Sequence, residues 1–193
     1  MKTNNSSFRT VGVLAIIALT LAMAQPLRAN ITVTSLADSG PGTLRQAIAD
    51  AAPGDTIDFA VTGTITLTSG QLTITNNLNI IGPGQTSLTV NGNNSSRAFS
   101  VANGTVFVSS LTVSNGYATD VTGGGGGVRN YFAGLTISNC CITSCQGQNY
   151  GGGINNYGGN LRVLRSKISG NYGYFGGGLL NWQSGQAVVI DST

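Results

Sequence analysis

The alternation of hydrophobic and polar residues along the chain predicts many short β-strands. From Asp55 onward, β-branched and aliphatic residues alternate with polar ones, and Gly or Asn residues separate the alternating segments. Alternation with a period of two gives each strand one apolar and one polar face. In the N-terminal half, the predicted strands are 56–61, 64–67, 71–74, 77–81, 87–90 and 98–101.

A single helix is predicted ahead of these strands, over residues 44–52. Thr43 can cap its N-terminus, and Pro53 followed by Gly54 ends it. Its apolar face contains Leu44, Ala47, Ile48 and Ala51. Because the first coil of a solenoid would otherwise expose apolar core and unpaired strand groups, we expect residues 25–54 to form an N-terminal cap.

The C-terminal half repeats itself at a nearly constant spacing. The segment Gly-Gly-Gly-Val-Arg-Asn-Tyr at 125–131 recurs as Gly-Gly-Gly-Ile-Asn-Asn-Tyr at 151–157 and as Gly-Gly-Gly-Leu-Leu-Asn-Trp at 176–182. Internal similarity at this spacing is typical of repeat architectures, in which each unit stacks on the next. Two further blocks keep the same spacing: 135–137 with 161–163 and 187–189, and 142–145 with 168–171.

Stacking these repeats predicts columns of equivalent side chains inside a narrow tube. The expected fold is all-β, a right-handed parallel β-helix with a short N-terminal capping helix and coils over 55–193. Each coil would have three short strands. The predicted apolar columns are Val128/Ile154/Leu179, Leu135/Leu161/Ala187, Ile137/Val163/Val189 and Ile142/Ile168. At one corner the buried amides of Asn130, Asn156 and Asn181 are predicted to form a hydrogen-bonded ladder.

The earlier coils follow the same pattern with longer turns. Leu78 corresponds to Val106, and Val108 corresponds to Ile137, at spacings slightly longer than those of the C-terminal repeats. In this alignment Thr193 falls at the position of Lys167, inside a coil, so we expect the sequence to be a fragment of a longer protein.

The N-terminal segment, 1–24, has the pattern of a signal peptide. Lys2 and Arg9 precede an unbroken apolar run at 11–24, which is shorter than the ~20 residues that span a bilayer. Small residues at Ala22 and Ala24 favour cleavage after Ala24, with cleavage after Ala29 as the second choice. We therefore expect an exported protein.

Charge and cysteine content narrow the functional classes. Charged residues make up 8% of the chain, and without the leader seven basic residues oppose six aspartates. A net charge near +1 gives no electrostatic reason to expect nucleic acid as a partner. Cys140, Cys141 and Cys145 allow two interpretations: one disulfide that includes Cys145, or small buried residues on stacked coils.

No pattern of catalytic residues is evident. The chain has no His and no Glu, and no two of its aspartates are separated by one coil. Asp55 and Asp58 could share a face, although a turn or capping role is favoured. Neither a catalytic residue, a metal site nor a cofactor is predicted.

Two sets of side chains are candidates for ligand binding. Each ladder Asn precedes an aromatic residue that alternation turns outward, so rings at the coil spacing could stack on sugars or on a protein. Equally, the rings could stack on each other and shield the Asn corner. The second set is basic and consists of Arg162, Arg165 and Lys167, with Arg129 nearby. These side chains could bind an acidic glycan or be simply solvated. The candidates are Tyr131, Tyr157, Trp182, Arg162, Arg165 and Lys167.

Two segments resemble those of bacterial secreted β-helices. Residues 37–48, followed by 54–59, are similar to the N-terminal CSLREA motif, with Leu44, Arg45 and Ala47 matching and Thr43 and Gln46 departing. The glycine triplets, together with 168–171, resemble the GGA[ILV] and FxxN repeats of chlamydial polymorphic outer-membrane proteins.

This resemblance implies a surface or secreted protein. We expect a non-catalytic β-helix on the outer membrane or outside a bacterium, with a polysaccharide or a surface protein of a host or neighbouring cell as partner. Membrane attachment would depend on the leader or on a missing C-terminal anchor. The alternative is a polysaccharide lyase or hydrolase whose active site lies outside this fragment.

Overall fold

The computed structural model describes residues 28–119 and 124–193. The predicted signal peptide, 1–24, lies outside these ranges. Within these two ranges all sheet pairing is parallel, and they form a β-solenoid of about six turns with one short helix. The predicted all-β fold, a parallel β-helix, is therefore confirmed.

Four sheets form the walls of the solenoid, and their strands are numbered in chain order. Sheet A contains β1 (Asn30–Val33), β2 (Asp55–Phe59), β5 (Leu78–Ile81), β8 (Thr105–Ser109), β12 (Gly134–Ser138), β16 (Asn160–Leu164) and β20 (Gln186–Ile190). Sheet B contains β3 (Gly63–Thr66), β6 (Leu88–Asn91), β9 (Thr112–Ser114), β13 (Cys141–Thr143) and β17 (Lys167–Ser169).

The other two sheets complete each coil. Sheet C contains β4 (Leu72–Ile74), β7 (Phe99–Val101), β11 (Val128–Tyr131), β15 (Ile154–Tyr157) and β19 (Leu179–Trp182). Sheet D contains β10 (Tyr117–Ala118), β14 (Gln146–Gly147) and β18 (Tyr172–Gly173). The prediction of three strands per coil is therefore incomplete, since these later coils have a very short fourth strand.

Strand pairing confirms every predicted apolar column. Ile154 pairs with Val128 on one side and with Leu179 on the other. The columns that begin at Leu135, Ile137 and Ile142 continue in the predicted order. Most of these side chains are fully buried, but Val189 on the edge strand β20 is 53% exposed because no described strand covers it.

Helix α1 (Leu44–Asp50) packs against β1, β2 and β4 near the N-terminal end of the solenoid. The Thr43 hydroxyl accepts a hydrogen bond from the Gln46 backbone nitrogen at 3.3 Å, which confirms the predicted N-cap. The side chains of Leu44 and Ala47 form the buried face of this helix. Among the described residues, no helix is long and apolar enough to cross a membrane.

The glycine triplets form a backbone ladder at the corner between sheets D and C. Gly125 donates to the Gly151 carbonyl at 2.6 Å, and Gly152 donates to the Gly176 carbonyl at 2.9 Å. A Cβ atom on Gly152 would overlap the carbonyl oxygen of Tyr172. Glycine is required here because one backbone passes directly over another.

Candidate ligand-binding surface

Three asparagines form a ladder at the corner where sheet C ends. The side-chain nitrogen of Asn130 donates to Asn156 Oδ1 at 2.7 Å, and that of Asn156 donates to Asn181 Oδ1 at 2.6 Å. Each nitrogen also donates to a backbone carbonyl of the following turn. Asn130 and Asn156 are fully buried, whereas Asn181 on the edge strand is exposed. The ladder fixes the position of the residue that follows each Asn.

The predicted aromatic residues follow this ladder, but they do not present three free ring faces. The rings of Tyr131 and Tyr157 stack on each other, with centroids 5.2 Å apart and an interplanar angle of 24°. Trp182 meets Tyr157 edge to face at 5.0 Å and 89°. Tyr131 is 41% exposed, while Tyr157 and Trp182 are half-buried. Both sequence interpretations therefore describe part of the arrangement.

Four further rings, which were not among the predicted residues, extend this group. Phe132 lies edge to face with both tyrosines. Tyr150 lies 4.9 Å from Trp182 and 5.9 Å from Phe175, and Phe175 contacts Tyr174. We call this connected set the aromatic surface; it consists of Phe132, Tyr131, Tyr157, Trp182, Tyr150, Phe175 and Tyr174.

The sequence contains a signal for two of these rings. Tyr150 and Phe175 each stand directly before a glycine triplet, one coil apart. Tyr150 comes before the start of β15 and Trp182 ends β19, so their rings meet by reaching over the outer face of sheet C. The aromatic surface therefore extends across the outer face of sheet C.

Phe132 has a backbone conformation that is unusual for a large side chain. Its φ of 52° lies in the left-handed region, which costs an L-residue roughly 1–2 kcal/mol. The ring is 58% exposed, and on its covered side it makes edge-to-face contacts with Tyr131 and Tyr157. One coil later the same corner holds Gly158, and a Cβ atom there would overlap the Phe132 ring. The glycine leaves the space in which the ring lies.

The predicted basic residues are exposed but lie on two faces. Arg162 is on sheet A and Lys167 is on sheet B, and Arg165 occupies the turn between them with a φ of 45°. The chain therefore turns a corner at Arg165, and the three side chains do not share one face. These side chains could contact a ligand only around an edge of the solenoid.

Arg129 is separate from these three residues. It lies on sheet C, and its guanidinium carbon is 5.5 Å from the centroid of the Tyr131 ring. Its Nη2 also donates to Ser100 Oγ at 3.1 Å. Arg129 therefore borders the aromatic surface, at the end formed by Tyr131 and Phe132.

A cavity of about 330 Å³ lies next to Arg129. Arg97 lines it and is buried, although no pattern in the sequence points to this residue. Its guanidinium donates to the carbonyls of Gly124 and Gly125 and to Gln71 Oε1 at distances of 2.7–3.1 Å. Arg97 thus holds the start of the first glycine triplet against the coil before it.

Four aspartates accept hydrogen bonds from neighbouring groups: Asp38, Asp50, Asp55 and Asp58. Asp55 accepts hydrogen bonds from the backbone nitrogens of Ala29 and Ala52, in agreement with the favoured turn role. Asp55 is buried and Asp58 lies on the opposite face of β2, so the two do not share a face. Asp120 lies outside the described residues.

Asp38 forms an ion pair with Arg45 at 2.7 Å. Burial alone would raise the pKa of Asp38, but hydrogen bonds from Ser69 and Arg45 outweigh this effect and lower it to about 2. The carboxylate therefore ties the segment before helix α1 to the turn after β3.

All three cysteines are free thiols. Cys140 and Cys145 are buried, and burial raises the pKa of each thiol to about 11. The Cys140 backbone nitrogen donates to Ser166 Oγ on the next coil, and that of Cys145 donates to Asn171 Oδ1. The interpretation as small buried residues on stacked coils therefore describes these two, and Cys141 is half-buried.

No protein-family model matches the chain, and no curated protein matches it significantly. Among residues 28–119 and 124–193, no group of three His, Cys, Asp or Glu side chains could hold a metal ion.

Proposed function

We propose that the protein is an exported, non-catalytic β-helix that binds a glycan or protein ligand through its aromatic surface and acts in adhesion or surface recognition. The main support for this proposal is that seven aromatic rings form one connected group. Three of its members, Phe132, Tyr174 and Phe175, are each more than half exposed. Large exposed aromatic patches are typical of binding sites.

The position of Phe132 supports this proposal. The equivalent corner is left-handed on the next two coils as well, at Gly158 and Gln183, but here it carries a large ring that is 58% exposed. Gly158 leaves room for the ring. Contacts among the rings also hold them in defined positions, which reduces the entropy that binding would cost.

Export and surface location are proposed from the sequence. The leader pattern over 1–24 supports secretion. The similarity of 37–48 to the CSLREA motif, and of the glycine-triplet repeats to chlamydial polymorphic outer-membrane proteins, supports a bacterial cell surface or extracellular location. Attachment to a membrane would require the leader or a C-terminal anchor.

A binding comparison tests this function. Wild-type protein and the variant Tyr131→Ala/Tyr174→Ala/Phe175→Ala would be applied to a glycan array and to immobilised cell-surface proteins. We expect binding to one or more of these ligands, with a loss of tenfold or more in the variant. Ile81→Ala is the matched control, because Ile81 is an exposed apolar residue on sheet A.

Two outcomes would contradict the proposal. One is binding that the triple variant retains in full, because the ligand would then contact another face. The other is turnover of an acidic polysaccharide with product release, which would favour the alternative of a lyase or hydrolase.

A further inference from the structure

Exposure is not uniform across the aromatic surface. At one end Phe132 is 58% exposed, and at the other end Tyr174 and Phe175 are 74% and 65% exposed. The rings between them, Tyr157, Trp182 and Tyr150, are half-buried and pack on their neighbours. The rings most available to a ligand therefore lie at two separated ends.

We propose that the aromatic surface binds a neutral polysaccharide chain. Phe132 at one end and Tyr174 and Phe175 at the other stack on sugar rings, while Tyr157 and Trp182 position these platforms. This inference rests on the proposed function, and it names the ligand class and the contact residues.

The arrangement of rings and charges favours a polysaccharide over other ligands. Single-stranded nucleic acids also stack on successive aromatic rings, but they need a positively charged groove along the backbone. Arg129 lies against the Tyr131 ring at one end of the surface, while Arg162 and Lys167 lie on sheets A and B. The other rings present apolar carbon to the uncharged C–H face of a sugar.

A protein partner fits this distribution less well. The residues that dominate protein–protein affinity cluster near the centre of an interface, in fully desolvated pockets. Here the centre is already packed internally, and the exposed rings are peripheral. An extended chain that crosses the surface can stack on the exposed rings at both ends without a deep pocket at the centre.

Phe132 provides the sharpest test, because a binding role and a structural role of its ring predict opposite effects of its removal on affinity and on stability. In Phe132→Gly the backbone strain at φ 52° is removed, and this corner already has Gly158 on the next coil. We expect a melting temperature within a few degrees of wild type but an affinity loss of tenfold or more. Gln183→Gly is the matched control, since Gln183 follows Trp182 at the same corner and has a φ of 55°.

Trp182 allows binding to be measured directly in the full chain. It is the single Trp of the sequence and lies between Tyr157 and Tyr150 in the ring network. Galactomannan, xyloglucan and dextran would be titrated as neutral probes, with polygalacturonate and single-stranded DNA as charged ones. We expect at least one neutral probe to change the fluorescence of wild type and Gln183→Gly. The response should be weakened in Phe132→Gly and in Tyr174→Ala/Phe175→Ala.

The outcomes separate this inference from the proposed function. Binding that depends on the aromatic surface but occurs only with charged probes or with a protein would overturn the inference and leave the proposed function standing. If no probe, glycan or protein binds in a manner that depends on these rings, both are wrong. A Phe132→Gly protein that is unstable yet binds normally would show that the ring has a structural role only.

Discussion

The side-chain nitrogen of Asn130 donates a hydrogen bond of 2.7 Å to the amide oxygen of Asn156, one coil further along the chain. Both side chains are fully buried, so each amide depends on the next coil for a partner. On its other side Asn130 faces Val101, and its oxygen Oδ1 has no hydrogen-bond partner among the described residues. The amide ladder therefore begins at Asn130, since the equivalent residue on the preceding coil is the apolar Val101.

Replacing the central ladder residue is expected to destabilise the solenoid. Asn156→Ala removes the hydrogen bonds to Asn130 and Asn181 and those to two backbone carbonyls. Because the groups left behind are buried, we expect a loss of about 2–4 kcal/mol in the free energy of unfolding, measured by urea titration. Asn181→Ala is the control and should cost less than about 1 kcal/mol, because Asn181 is exposed. Equal losses in the two variants would contradict a cooperative ladder.

The apolar columns give a second stability prediction. Ile154 is fully buried between Val128 and Leu179, so Ile154→Ala should cost about 2–5 kcal/mol through lost burial and a cavity. Val188→Ala on the outer face of β20 is the control, with an expected loss within about 0.5 kcal/mol. Denaturant unfolding followed by Trp182 fluorescence measures both. A small effect of Ile154→Ala would show that the coils are not stacked as described.

The glycine ladder predicts a difference between two alanine substitutions. In Gly152→Ala the new Cβ would overlap the carbonyl oxygen of Tyr172, whereas in Gly134→Ala it would meet Thr105 Oγ1 at an ordinary 3.5 Å. We expect a loss of about 3 kcal/mol or more for Gly152→Ala and a change within about 1 kcal/mol for Gly134→Ala. Thermal unfolding monitored by circular dichroism measures both. Similar melting temperatures for the two variants would rule out the close backbone approach.

The buried thiols predict slow alkylation and a loss of stability at alkaline pH. At pH 8 in the native state, Cys141 should react with iodoacetamide before Cys140 and Cys145, and all three should react in urea. Burial raises the pKa of Cys140 and Cys145 from 9.0 to about 11, so their contribution to stability is complete below pH 9 and falls as the pH rises toward 11. Mass spectrometry identifies the modified residues. Three thiols of equal reactivity would contradict their burial.

The ion pair near helix α1 predicts the opposite pH dependence. The pKa of Asp38 is lowered from 3.8 to about 2, so its contribution is present above pH 3.8 and is lost as the pH falls toward 2. Because Arg45 is partly exposed, we expect about 1 kcal/mol or less. Asp38→Asn should lower the free energy of unfolding at pH 6. It should also remove the loss of stability at acid pH that comes from protonation of Asp38. Unfolding titrations at pH 6, 4 and 2 compare the two proteins, and parallel pH profiles would exclude the role of Asp38.

The repeat by itself determined the architecture of this protein. Its nearly constant spacing, with apolar residues at Val128, Ile154 and Leu179, requires coils in register, because a slip of a single position would turn the apolar side chains outward. The Asn ladder and the capped helix also followed from local patterns. These features depend on the period and on neighbouring residues, which are directly visible in the sequence.

Only the tertiary structure decided how the surface is arranged. Alternation predicts that Tyr131, Tyr157 and Trp182 point outward, but it does not say whether their rings face the solvent or each other. It also does not show that Tyr150 and Phe175 approach from the opposite edge of sheet C, or that the turn at Arg165 separates the basic residues. Side-chain torsions and corner geometry determine these contacts, and both depend on the stacked neighbours rather than on the period of the sequence.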